Sequence, residues 1–278
     1  MALAARAAAA APGFEFRVLS YNTHGLPAYA ALDDPARRFP IIGGKARAYD
    51  VALLQENFRW NAELVAGGGP WTVEQGNASR FAGTALCALL CDGAGLTLAT
   101  TLAREALLGL TSRPYEACSG WILGANDCLA TKGFVHARIL LGGEYEVHFV
   151  NTHLDAGRSP EDRAARRAEL AQLRAYLERE AATAPIVLGG DLNLDAANAE
   201  DIAIRDDFAA ALGLHDTGAG AAPGGAWTKL DYLYWRDGSA VLLEVVEAGE
   251  AREFVDDADA PLSDHPAIYA RLRARPLF

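Results

Sequence analysis

Gly189-Gly190-Asp191-Leu192-Asn193 directly follows the apolar run Pro185-Ile186-Val187-Leu188, and that junction decides how the chain is read. It predicts a buried strand over 185–189 that ends in a glycine turn, with a carboxylate and a carboxamide projected at its C-terminal end. Asp191 and Asn193 alternate, so both can face one cleft while Leu192 turns into the core. An acid beside an amide suits a hard divalent cation and a phosphate oxygen. Four other apolar runs end in the same way. Phe16–Ser20 leads to Tyr21-Asn22-Thr23-His24, Val51–Leu54 to Gln55-Glu56-Asn57, and Val147–Val150 to Asn151-Thr152-His153-Leu154. The last is Pro261-Leu262-Ser263-Asp264-His265-Pro266, near the C-terminus. Open α/β sheets build their sites where strands end, and five recurrences of one pattern outweigh chance.

The remaining elements read outward from these five. Strands are expected at 14–20, 51–55, 72–75, 84–90, 96–101, 133–141, 145–151, 230–235, 241–247 and 269–272. Helices are expected over Ala36–Tyr49, from Ser159 to about Ala182, and over Ala199–Leu212. Ser159 is a natural N-cap, with Pro160 in the first turn and acids behind it. Gly142-Gly143 and Asp237-Gly238 each predict a hairpin between their flanking strands. Strands in hairpins, interleaved with a few helices, point to two sheets packed face to face with helices outside.

Of the 278 residues, 51% are hydrophobic, enough for a sizeable core, and no apolar stretch approaches the ~20 residues that span a bilayer. With no internal repeat or clear linker, one domain is expected over 14–278, after an alanine-rich tail at 1–13. That tail is read as disordered, or as the remnant beyond a removed export signal. The net charge of −11, without a long basic run, argues against extended nucleic acid as a partner. A small or membrane-held phosphate ester stays open, because a bound cation reverses the local sign. A monomer is expected. Among the four cysteines, Cys87, Cys91, Cys118 and Cys128, no spacing makes a zinc site. Cys118–Cys128 is the favoured disulfide, which points to a secreted or periplasmic protein; four free thiols in a cytoplasmic protein is the alternative.

Taken in order, Asn22, Glu56, His153, Asp191 with Asn193, Asp231 and Asp264-His265 resemble the endonuclease/exonuclease/phosphatase (DNase I-like) superfamily, over nearly the whole chain from Leu19 to Pro266. The resemblance implies a four-layer α/β sandwich of two mixed β-sheets flanked by helices, and cleavage of phosphoesters with a divalent cation, usually Mg2+, with Mn2+ or another divalent ion as the alternative. Ser20-Tyr21-Asn22-Thr23-His24-Gly25-Leu26-Pro27, Asp127-Cys128-Leu129-Ala130-Thr131-Lys132-Gly133-Phe134 and Asn151-Thr152-His153-Leu154 are most similar to the sphingomyelinase-like branch. Some sphingomyelinases carry an aromatic hairpin that dips into membranes; no such exposed aromatic pair is read between Asp231 and Asp264, which argues against direct insertion into lipid.

Roles follow from side-chain chemistry. Glu56 is the expected magnesium ligand, with Asn22 adding a neutral oxygen or reaching the ion through water. His265 is the expected general base, and Asp231 resembles the family acid that orients such a histidine. Asp191 positions the water or a second cation, Asn193 donates to the phosphate, and His153 stabilises developing negative charge. Asp264 anchors metal or histidine, and Lys132 supplies positive charge near the phosphate. Each has a plainer reading alone: Asn22 as a backbone cap, either histidine as an ordinary hydrogen-bonded one, Asp231 as an arginine's partner, Lys132 as solvated. The ordered set outweighs them. His24, His136, His148 and His215 lack that support and are read as structural. The leading function is a phospholipid-directed phosphodiesterase of sphingomyelinase type, touching the membrane peripherally. A nuclease or phosphatase of soluble esters is the alternative. A non-catalytic binding module is disfavoured, because Glu56, Asp191 and His265 are all present. Substrate choice is assigned to loops 24–40, 110–132 and 215–228.

Overall fold

A computed structural model describes residues 13–26, 33–66, 68–69, 71–79, 93–120, 127–220 and 229–278. The expected strand at 84–90, Cys87, Cys91, residues 1–12 and parts of the three substrate loops lie outside these.

Strands buried on both faces read as unbroken apolar runs, and that property builds the layers. In β1 (Phe14–Gly25), Phe16 and Val18 face one cluster while Leu19 and Tyr21 face another. In β8 (Ile186–Asp191), Val187 joins the first cluster, and Ile186 and Leu188 join a third. The first cluster lies between two six-stranded sheets. The other two lie between each sheet and its outer cover, giving the four layers expected.

One sheet has the order β11 (Val241–Glu250), β12 (Ile268–Pro276), β1, β2 (Val51–Asn57), β4 (Thr97–Thr100), β3 (Thr72–Gln75). The other has the order β5 (Leu107–Pro114), β6 (Gly133–Leu141), β7 (Tyr145–His153), β8, β10 (Asp231–Arg236), β9 (His215–Asp216). Helix α1 (Pro35–Ala46) and loop 251–267 cover the first sheet, with Phe39, Ile42, Phe254 and Leu262 buried in its cluster. The short α2 (Asn61–Val65) adds Leu64 there. Helices α3 (Pro160–Glu180) and α4 (Ala199–Leu212) cover the second sheet. Ser159 caps α3 in a full capping box with Asp162. Cys118 and Cys128 are joined in a disulfide, their Cα atoms 5.2 Å apart.

One expected pairing is wrong. Asp237-Gly238 does make a tight turn, with Gly238 N–H donating to Val241 O, but β10 and β11 do not pair across it. β10 is already bonded on both edges, by β8 and β9, so the turn carries the chain into the other sheet. There β11 pairs antiparallel with β12, and loop 251–267 closes that hairpin. The Gly142-Gly143 hairpin forms as expected between β6 and β7.

The two sheets meet through polar groups near their site end. Asn151, fully buried on β7, donates to Leu54 O at 2.8 Å and Thr97 O at 3.0 Å in the opposite sheet. Its Oδ1 accepts from Gln55 Nε2 at 2.7 Å. Close by, a Cβ on Gly189 would lie 2.8 Å from Leu53 Cδ1 and 3.0 Å from Ser20 Oγ, so the glycine lets the sheets approach.

On the outer face beneath α3, His136 Nε2 lies 2.9 Å from His148 Nδ1, and His136 Nδ1 lies 3.0 Å from Tyr176 Oη. Burial, reinforced by His148, pushes the His136 pKa down from 6.5 to about 4.

Two outcomes follow for stability. Asn151→Leu should cost about 3 kcal/mol in urea unfolding, because it strands two buried carbonyls and the Gln55 amide. For His136, the unfolded chain takes up a proton near pH 6.5 that the folded chain refuses until about pH 4. Its contribution is therefore complete above pH 6.5 and declines, by at most about 1.4 kcal/mol per pH unit, as pH falls toward 4. His136→Phe should flatten that part of the stability profile.

Candidate active site

Register brings the candidate residues to one edge. β1 and β2 run parallel with Asn22 beside Gln55, so the Asn22 side chain reaches Glu56. β7 and β8 run parallel with His153 beside Asp191. β10 is antiparallel to β8 and starts at Asp231 beside Asp191, so a strand's first residue reaches the edge where its neighbours end. Asp264 and His265 were expected to follow an apolar strand. They lie instead in loop 251–267, ahead of β12, which starts at the same edge.

Asp191 stands at the centre. Its Oδ2 accepts from Asn22 Nδ2 at 3.0 Å and lies 3.5 Å from His153 Nε2 and 3.8 Å from His265 Nε2. Its Oδ1 accepts from Asn193 N–H at 2.9 Å. Burial disfavours its charge, but His265, with the Asn193 and Asn22 hydrogen bonds, holds its pKa below the usual carboxylate range. Glu56 Oε1 accepts from the same Asn22 Nδ2 at 3.0 Å, yet burial raises its pKa. His265 Nδ1 sits 2.8 Å from Asp231 Oδ2, which leaves Nε2 turned toward Asp191. Burial works against an imidazolium there, but Asp231 and Asp191 outweigh it and lift the His265 pKa to about 11. Burial raises the Asp231 pKa to about 6. Burial, with Lys132 beside it, pushes the His153 pKa down to about 3, so that ring is neutral.

Three residues here turn the chain in the left-handed region: His24 (φ 48°), Glu56 (φ 57°) and Asn193 (φ 49°). Such backbone is costly for residues other than glycine and concentrates where side chains must be aimed.

Several placements differ from expectation. Asn22 meets Glu56 and Asp191 with its amide nitrogen, while its Oδ1 accepts from His24 N–H at 3.0 Å. In this arrangement it is a donor bridging two carboxylates. Lys132 is not solvated: it is buried, paired with Asp127, 2.7 Å from Leu154 O and 3.3 Å from His153 Nε2. Asn193 Nδ2 points to His153 Nε2 at 3.3 Å and Leu154 O at 3.0 Å. His153 Nε2 thus meets two donors and is placed as an acceptor. Asp264 reaches His24 Nδ1 at 3.2 Å, and His265 takes Asp231 instead. His24, read as structural, lies at the cleft, 3.9 Å from Glu56. Its position two residues past Asn22 was the available signal. Beneath Lys132 lie the buried acids Asp127, Asp155 and Glu169, on which sequence periodicity is silent.

The donor set suits a hard cation. Glu56, His153 and Asp191 present ligand atoms within 4.8 Å of one another, as do Asp191, Asp231 and His265. Glu56 Oε2 is buried and accepts no hydrogen bond, an orphaned anionic oxygen that a cation would satisfy.

Residues 19–265 match the Endonuclease/Exonuclease/phosphatase family model. The chain belongs to that family. Its members hydrolyse phosphoesters, and the curated relatives it matches are sphingomyelinases. Those of Mycobacterium bovis and Mycobacterium tuberculosis are 28% identical over 274 residues, covering 91% of this chain and 52% of theirs. The chain therefore spans about half the length of the curated relatives it matches. Among solved structures, beta toxin from Staphylococcus aureus aligns with a TM-score of 0.68 at 18% identity, over 92% of this chain and 99% of that one. Sphingomyelinase C from Streptomyces griseocarneus aligns at 0.65 and 21% identity over the same shares. At these identities the structures speak for the fold.

Magnesium at 100 times its Kd should stabilise the protein by about 2.7 kcal/mol, a rise in Tm of roughly 5–10 °C for a chain of this size. Glu56→Gln should abolish that rise in thermal unfolding, without any assay of activity.

Proposed function

We propose that the chain is a divalent-cation-dependent phosphodiesterase of sphingomyelinase type, which releases phosphocholine from sphingomyelin. The observation that carries the hydrolytic reading is the His265–Asp231 pair at 2.8 Å, with Nε2 facing the Asp191–Asn22–Glu56 group. The lipid substrate is supported by the sphingomyelinase relatives. Magnesium is supported by the orphaned Glu56 oxygen and by a second beta toxin structure that contains bound magnesium ions. A secreted or periplasmic location is supported by the Cys118–Cys128 disulfide. Contact with lipid is proposed to be peripheral; no helix among the described residues is long and apolar enough to cross a membrane.

In this reading Glu56 and Asp191 hold the cation, and Asn22 keeps their carboxylates together. When bound, the cation would polarise the phosphoryl oxygen, offset charge on the leaving group, and weaken the hold that Asp191, after Asp231, has on the His265 proton. Asp231 fixes the His265 ring by accepting from Nδ1–H. His265 Nε2 takes the proton of a water that Asp191 orients toward phosphorus. As the new P–O bond forms, the bond to the ceramide oxygen breaks, and that oxygen takes up a proton. Lys132 and Asn193 supply donors on the His153 side, where a phosphoryl oxygen is received.

His265→Ala should lower turnover by about 10³-fold with folding intact. Sphingomyelin, phosphatidylcholine, a short DNA duplex and an inositol phosphate, each assayed with and without magnesium, test the substrate. Magnesium-dependent release of phosphocholine from sphingomyelin is the expected result. Turnover of only DNA or the inositol phosphate would keep the site and overturn the substrate.

A further inference from the structure

His265 is carried by a loop with little regular structure. Within loop 251–267 the ordering contacts include the bridge between Val255 and Pro261 and the burial of Phe254 and Leu262. They also include the bonds from Leu262 N–H to Phe254 O, Ala251 N–H to Ala267 O, Asp256 N–H to Ala260 O and Asp259 N–H to Asp256 O. None of these sets the distance from His265 to the carboxylates it faces, which belong to other strands. Something outside the loop must set it.

Arg38, one turn into α1, is aimed at that junction. Its Nη1 donates to Leu262 O at 2.5 Å and to Thr23 O at 3.0 Å, and its Nη2 donates to His24 O at 2.9 Å. Asp33 balances the charge, with Oδ1 accepting from Nη2 at 3.1 Å and Oδ2 lying 2.9 Å from Nε. The guanidinium thus joins two segments through their backbone carbonyls. Thr23 and His24 follow Asn22, whose side chain holds Glu56 and Asp191. Leu262 precedes Ser263-Asp264-His265. Ser263 reinforces the join: its Oγ donates to Asn22 O at 2.7 Å and accepts from His265 N–H at 3.2 Å. The arginine side chain is only 12% exposed, and its nitrogens are turned to protein groups, not to the cleft. A guanidinium holds its donors in fixed, separated directions across a plane, whereas an ammonium gathers its three at one atom.

We propose that Arg38 is a positioning residue that sets His265 against the Asn22–Glu56–Asp191 group, with Ser263 as its second tie. The proposal rests on His265 acting as the base. Arg38 touches no reacting atom in this arrangement; it acts through the loop. A misplacement of about 1 Å at a reacting group can cost 10²-fold in rate, and losing Arg38 removes three carbonyl ties at this junction.

The test compares the whole chain as wild type, Arg38→Ala, Arg38→Lys, Ser263→Ala and His265→Ala, loaded with magnesium. Arg38→Ala should lower kcat by about 100-fold with KM within about threefold. Arg38→Lys should recover little, and added guanidinium ion should restore part of the Arg38→Ala activity. A second readout does not use activity. The proton on His265 Nδ1, held by Asp231, should give a downfield NMR signal that His265→Ala removes. Arg38→Ala should shift or broaden it. If Arg38→Ala does not fold, the smaller Ser263→Ala change should show the same kcat loss and the same spectral shift. Wild-type kcat with an unchanged signal in Arg38→Ala, where His265→Ala is inactive, overturns the proposal. A rise in KM alone also overturns it, because that marks a substrate contact. If His265→Ala keeps full activity, the reading of the base fails instead, and the NMR signal still reports whether Arg38 sets the ring.

Discussion

The contact on which this molecule most depends is the buried amide bridge between its sheets. Asn151 gives two hydrogen bonds to backbone carbonyls of the opposite sheet and takes one from Gln55. Apolar packing between two sheets is non-directional and tolerates sliding. A fully satisfied amide does not, because each slip would strand buried donors and acceptors. Gln55 immediately precedes Glu56, and Asn151 lies two residues before His153. The bridge therefore aligns the ends of β2 and β7 before any substrate or cation is present, and Gly189 lets β8 come close enough to add Asp191.

Above this bridge the site collects acids from both sheets at short range, and their mutual repulsion must be managed by nearby donors and cations. Asn22 is the economical answer, since one Nδ2 group serves Glu56 and Asp191 together. His265 answers from the other side, held cationic by Asp231 and Asp191. Below, Lys132 performs the same service for Asp127, Asp155 and Glu169. Burial raises the Asp155 pKa to about 6 and the Glu169 pKa well above its ordinary value, so this lower layer cannot carry three full negative charges. The lysine both relieves that layer and stays within reach of His153. A protein of net charge −11 thus has a site whose charges are locally paired, with Glu56 Oε2 among the buried carboxylate oxygens that accept no hydrogen bond. That oxygen is the chemical reason to expect a cation.

Much of this was legible in the chain. The apolar runs before Asn22, Glu56, His153 and Asp191 read as strands, and the structure has them with those residues at one edge. Helix α3 carries its own start signal in Ser159 and Asp162, and Cys118–Cys128 pairs as expected. The errors lie where a local signal needed a distant partner. Asp237-Gly238 announces a turn, but whether the next strand pairs with β10 depends on β8 and β9 having taken both of its edges. Asn22 offers either amide atom, and only the flanking carboxylates and the His24 amide turn its nitrogen toward Glu56 and Asp191. His24 was passed over because nothing near it in sequence shows that Asp264 will stand 3.2 Å away.

The sequence by itself determined the layers, the strand ends and the kinds of side chain placed there. These follow from burial on two faces and from turn chemistry, which are local. Tertiary structure alone decided which sheet receives β11, which histidine each aspartate takes, that Lys132 is buried, and that Arg38 ties the His265 loop to β1. Those depend on hydrogen bonds and charges between segments far apart in the chain, whose partners have no periodic trace in the sequence.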